Sequence, residues 1–145
     1  MLNIVTRLAR CYEIQGKYKD AEQTLETALG IIGCIFKDDD VVPPIHHREQ
    51  GDIYMMLAGL YLKDGDEDGA LRYLKKMADY DLNKCGKIDD NNTDTKSPLL
   101  NSIPHGLYNK RADRYRNLKA KLTDARFDAL RSDERYVRLL DAVTE

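Results

Sequence analysis

LARCYEIQGKYKDAEQTLETAL, residues 8–29, and LAGLYLKDGDEDGALRYLKKMA, residues 57–78, decide the fold of this chain. Leu8, Ala9, Tyr12, Gly16, Ala21 and Leu25 recur as Leu57, Ala58, Tyr61, Gly65, Ala70 and Leu74, at a constant offset of 49 residues. Within each copy the apolar residues return every three or four positions, the spacing that stacks side chains on one face of an α-helix. The first copy carries Leu2, Val5, Leu8, Ala9 and Tyr12, then Ala21, Leu25, Ala28, Leu29 and Ile32. The second carries Tyr54, Leu57, Ala58, Tyr61 and Leu62, then Ala70, Leu71, Leu74, Met77 and Ala78. A glycine ends the first helix of each pair and frees the turn. Alanines at 9, 21, 58 and 70 let two antiparallel helices approach closely, while Tyr12, Leu25, Tyr61 and Leu74 fill the space beside them. Asp66, Glu67 and Asp68 stand where a fourth helix begins, suited to its free N–H groups and the positive end of its dipole.

Six co-registered positions in two helical hairpins resemble the tetratricopeptide repeat, a 34-residue helix–turn–helix unit. The resemblance places repeats at 2–35 and 51–84, with 15 additional residues around KDDDVVPPIHH. Val5 and Tyr54 stand where that family prefers Trp, and Gly33 and Leu82 replace its closing Pro. It implies an all-α fold, a short right-handed superhelix of six or seven helices. It also implies a concave surface lined by the first helix of each hairpin. Residues 85–145 read as a polar loop followed by degenerate capping helices. One is a basic helix over 107–122 with Tyr108, Ala112, Tyr115, Leu118 and Leu122 on its apolar side. The other is capped by Ser132 and buries Tyr136, Val137, Leu139, Leu140 and Val143. The tail, Ser97–Asn101 with Arg126–Tyr136, resembles the C-terminal region of Gram-positive helix-turn-helix (Xre-type) transcription regulators that carry these repeats. The chain starts directly in a repeat helix, so the expectation is either the detached C-terminal part of such a regulator or a stand-alone protein of the same kind.

Composition narrows the function classes. With 23 basic and 25 acidic residues in 145, the net charge of −2 speaks against nucleic-acid binding through overall charge. The longest uncharged apolar run, Ala28–Phe36, is far short of the ~18–20 residues of a membrane span. Arg7, Arg10 and Glu13 interrupt any signal peptide. Cys11, Cys34 and Cys85 are odd in number and widely spaced, which reads as a reduced, cytoplasmic chain with buried or bystander thiols.

No spacing supports catalysis, so the expectation is a binding protein, not an enzyme, without cofactor or metal. Asp64, Asp66, Asp68 and Gly69 open like an EF-hand loop, but Lys75 stands at the twelfth position where a bidentate Glu is needed. His46 and His47 diverge by ~100° on a helix and do not share a metal easily. Asn91 heads a glycosylation acceptor that is idle in the cytoplasm. The leading site is a protein- or peptide-binding groove formed by Asn3, Thr6, Arg7, Arg10, Glu13, Asp52, Met55, Met56, Gly59 and Lys63. Arg7 and Arg10 would meet a carboxylate and the methionines would offer an adaptable apolar floor. The alternative is a nucleic-acid contact through Arg111, Arg114 and Lys119. Two full repeats fall short of the ~3 an array needs, so a homodimer is expected to cover the exposed end.

Overall fold

The computed structural model describes residues 2–37, 47–79 and 111–144. Their regular elements are helices: α1 (Leu2–Ile14), α2 (Tyr18–Ile35), α3 (His47–Lys63), α4 (Glu67–Asp79), α5 (Arg111–Leu122), a 3-10 helix (Ala125–Leu130) and α6 (Glu134–Thr144). No strand occurs among the described residues. None of their helices is long and apolar enough to cross a membrane.

The two glycine turns are the same turn built twice. Gly16 has φ +73° and Gly65 φ +81°, the left-handed region that glycine enters without a Cβ penalty. The Gly16 N–H donates to the Glu13 carbonyl at 3.0 Å and the Lys17 N–H to Tyr12 at 2.9 Å. Forty-nine residues on, Gly65 donates to Leu62 at 3.1 Å and Asp66 to Tyr61 at 2.8 Å. Each pair satisfies carbonyls that the helix end leaves open. The following helix begins at once, with Ala21 N–H on the Lys17 carbonyl and Ala70 N–H on that of Asp66. The Asp66 carboxylate caps α4 by accepting the Gly69 N–H at 2.7 Å.

Packing follows the small-residue logic. Ala9, Ala21, Ala58 and Ala70 are fully buried, as are Leu25, Leu57 and Leu74. Helix α1 lies on α2 and α3 on α4; α2 lies against α3, α5 against α3 and α4, and α6 against α4 and α5. Polar links join the hairpins too. The Tyr61 hydroxyl donates to the Glu22 carboxylate, and Tyr73 to Glu26 at 3.4 Å. The bond to Glu22 pushes the Tyr61 hydroxyl well above its ordinary pKa. For Tyr73, burial first and then Glu26 act in the same direction. In the tail the Tyr136 hydroxyl donates to the Leu122 carbonyl. Arg135 reaches Asp68 of α4 at 2.7 Å.

Several side chains depart from the sequence expectation. Leu8 is 46% exposed although its counterpart Leu57 is 0% exposed. Leu57 lies on α3, which packs against α2, α4, α5 and the 3-10 helix as well as α1. Ile53 and Leu60, absent from the expected face of α3, are buried as well. Val137 is 40% exposed, and Leu139 and Leu140 are only partly buried, so Tyr136 and Val143 anchor α6. The cap of α6 is Asp133, not Ser132: its carboxylate accepts the Arg135 N–H at 2.8 Å. Of the two readings of the thiols, buried or bystander, the exposure of Cys11 and Cys34 excludes the first for these two. The 3-10 helix, which buries Phe127 and Leu130, was not expected. Helix α5 begins at Arg111 among the described residues; residues 107–110, Cys85, Leu82 and Ser97–Asn101 lie outside them.

Candidate functional site

A concave cleft of about 990 Å³ opens along one side of the molecule. Its floor is the outward face of α3: Asp52, Met55, Met56, Gly59, Leu62 and Lys63. One wall is α1, with Asn3, Thr6, Arg7, Arg10, Glu13 and Ile14. The other carries Asp124, Arg126 and Ala129 from the segment after α5, with Gly65 and Glu67 at one end. Every groove residue expected from the sequence lines this cleft. The reason is local: residues three and four apart on α1 and α3 that face neither the partner helix nor the next hairpin must point to the same side.

The walls are tied together by ion pairs. Lys63 meets Glu13 at 2.6 Å, joining α3 to α1. Lys121 meets Asp52 at 2.8 Å, joining α5 to α3. Two glycines make room for the second wall. A Cβ on Gly51 would lie 2.8 Å from the Lys121 Nζ, and one on Gly59 would lie 3.3 Å from the Arg126 Cδ. Arg126 is fastened by Asp124 at 2.9 Å, and its backbone N–H, foremost, holds the Asp124 carboxyl below the usual range.

The charges are therefore unequal in availability. Glu13, Asp52 and Asp124 each face a cation of the protein. Arg7 and Arg10 are exposed on the α1 wall and engage no partner among the described residues. Met55 and Met56 are partly buried against the core and present their remaining surface to the cleft. The cleft thus offers two uncommitted guanidinium groups above a polarisable apolar floor. Sequence reasoning did not foresee the contribution of Asp124, Arg126 and Ala129. Their local signal is the Asp124 carboxylate, which accepts the Arg126 N–H at 3.0 Å and starts the 3-10 helix.

The remaining candidates are placed as follows. Lys119 is exposed on α5. The side chains of Arg111 and Arg114 lie outside the described residues. Lys121, in the same helix, is engaged by Asp52. Asp66 and Asp68 of the EF-hand-like stretch are taken up by the cap of α4 and by Arg135. No group of three potential ligands is assembled for a metal among the described residues. Asp38–Asp40, His46, Asn91 and His105, and the His47 side chain, lie outside them. No protein family, no curated protein and no solved structure matches this chain.

Proposed function

We propose that the chain is a tetratricopeptide-like binding module that receives an acidic peptide segment in the cleft between α1, α3 and the 3-10 helix. The single observation carrying this reading is the pair Arg7 and Arg10, uncommitted on the wall of a cleft whose other described acids are largely paired. A carboxylate of the ligand meets the guanidinium groups, which donate in a planar fork. An apolar side chain lies on Met55 and Met56, which adapt their shape. The tetratricopeptide reading is supported by the two identical glycine turns and the four buried alanines. The likeness of the tail to Xre-type regulators supports a role as the sensor or dimerisation part of such a regulator.

The test is fluorescence anisotropy with two labelled eight-residue probes, one rich in Glu and Leu and one with Lys in place of Glu. The acidic probe binds and the basic one does not. Reversing both arginines (Arg7→Glu with Arg10→Glu) weakens the acidic probe about tenfold, as expected for two exposed charge contacts. Equal binding of the two probes, or indifference to the double reversal, overturns the proposal.

A further inference from the structure

A second groove, of about 550 Å³, runs between α4 and α6 and shares no lining residue with the cleft. Its floor is apolar: Leu71 is buried, and Leu139 is partly buried against the core. Arg72, Lys75 and Lys76 stand three and four residues apart on one side of α4 and form one rim. Arg135 and Arg138 of α6 form the other. Long basic side chains lay their methylene stems along an apolar floor and hold their charges at its edge.

The rim charges are largely unspent. Lys76 lies over the Tyr73 ring at 4.9 Å, and neither it nor Arg72 nor Lys75 pairs with a carboxylate among the described residues. Arg138 meets Glu134 at 3.3 Å between two exposed side chains, a pair that changes partners at little cost. Arg135 is the committed one, held by Asp133 and Asp68. Five cations against Asp68 and Asp79 thus line the groove of a chain whose net charge is −2. An occupant must bring several negative charges together with an apolar stripe. A nucleic acid or an inorganic polyanion has the charge but leaves Leu71 and Leu139 uncovered, and no aromatic ring lines the groove among the described residues to stack a base. An amphipathic helix supplies both, with apolar side chains three and four apart on the floor and acids along its flanks. The lining positions on α4 run from Asp68 to Asp79, about 16 Å along the axis, which is about three turns of such a helix.

We propose that the α4–α6 groove docks an acidic amphipathic helix of a protein partner. Its apolar stripe lies on Leu71 and Leu139. Its carboxylates meet Arg72, Lys75 and Lys76 along one rim and Arg138 on the other. The site is separate from the cleft, and the proposal does not depend on what the cleft receives.

The probe is a labelled synthetic peptide of about 18 residues, long enough to hold a helix in water, with Leu at helical spacing and Glu on both flanks. It is titrated by anisotropy against the full chain carrying Arg7→Glu with Arg10→Glu, a background in which the cleft repels an acidic ligand. The site is read from amide shifts in two-dimensional proton–nitrogen NMR spectra. Saturable binding is expected, with shifts at residues 71–76 and 135–139. Adding Arg72→Glu with Lys75→Glu weakens it about tenfold, and Leu139→Gln weakens it several-fold, while far-UV circular dichroism and the melting curve stay those of the parent. A probe of the same composition with its Leu scattered around the helix binds about tenfold more weakly. Absence of saturable binding, shifts centred on α1 and α3, indifference to the double reversal on α4, or equal binding of the scattered probe overturns the proposal. So does tighter binding of a single-stranded oligonucleotide of equal charge, which assigns the groove to nucleic acid.

Discussion

One substitution, Gly→Ala, should change stability in opposite directions at positions that composition alone does not distinguish. Gly30 and Gly33 lie inside α2, and an added Cβ at either meets nothing within 4 Å. Alanine there removes the backbone-entropy cost of glycine, so each change should stabilise by about 0.5–1 kcal/mol. Gly65 also has open space around it, but its φ is +81°. The cost is then purely conformational, about 1–2 kcal/mol, because the packing around the turn stays as it is. Gly69 is helical, yet a Cβ would collide with the Tyr61 Cδ1 and fall 2.5 Å from the Asp66 Oδ2. The gain in helix propensity, about 1 kcal/mol, is outweighed by overpacking of about 1–3 kcal/mol and by displacement of the Asp66 cap, about 1 kcal/mol. Urea unfolding followed by circular dichroism measures all four at unchanged m-values, with melting points moving about 3 °C per kcal/mol. Destabilisation by Gly30→Ala, or tolerance of Gly65→Ala, would refute the reasoning.

The paired leucines give a second contrast: Leu57→Ala should cost about 2–5 kcal/mol and Leu8→Ala under about 1 kcal/mol, read from the same unfolding curves. Asp133 gives a pH dependence. Donation from the Arg135 side chain, and then from its backbone N–H, lowers the Asp133 carboxyl from 3.8 to about 2. A depressed folded-state pKa stabilises above the unfolded value, so this contribution is whole above pH 3.8 and disappears as the pH falls toward 2. Melting curves of the wild type and Asp133→Asn should accordingly differ at pH 6 and converge near pH 2.

The hairpins were legible because their signals are local. Helical periodicity, a glycine where the chain must turn left-handed and alanines at the crossing all act within one hairpin. The cleft residues followed from the same periodicity, since a position facing neither partner helix has one direction left. What was missed depends on neighbours. Leu8 and Leu57 hold the same position in the two copies, yet Leu8 is 46% exposed and Leu57 is buried, because α3 is surrounded by more of the molecule than α1 is. Phe127 and Leu130 stand three apart but make a single step with no further repeat, so the 3-10 helix that completes the cleft left too short a pattern to read. Ser132 and Asp133 are both good caps, and the choice fell to the residue that could also grip the Arg135 guanidinium.

Helix α3 touches α1, α2, α4, α5 and the 3-10 helix. It behaves as an axle: none of the surrounding pieces can swing away without unseating it. Its amides should consequently be the slowest to exchange with deuterium, opening only when the whole molecule unfolds. Cutting the chain between the two hairpins would then yield not a pair of independent halves but one half deprived of its hub.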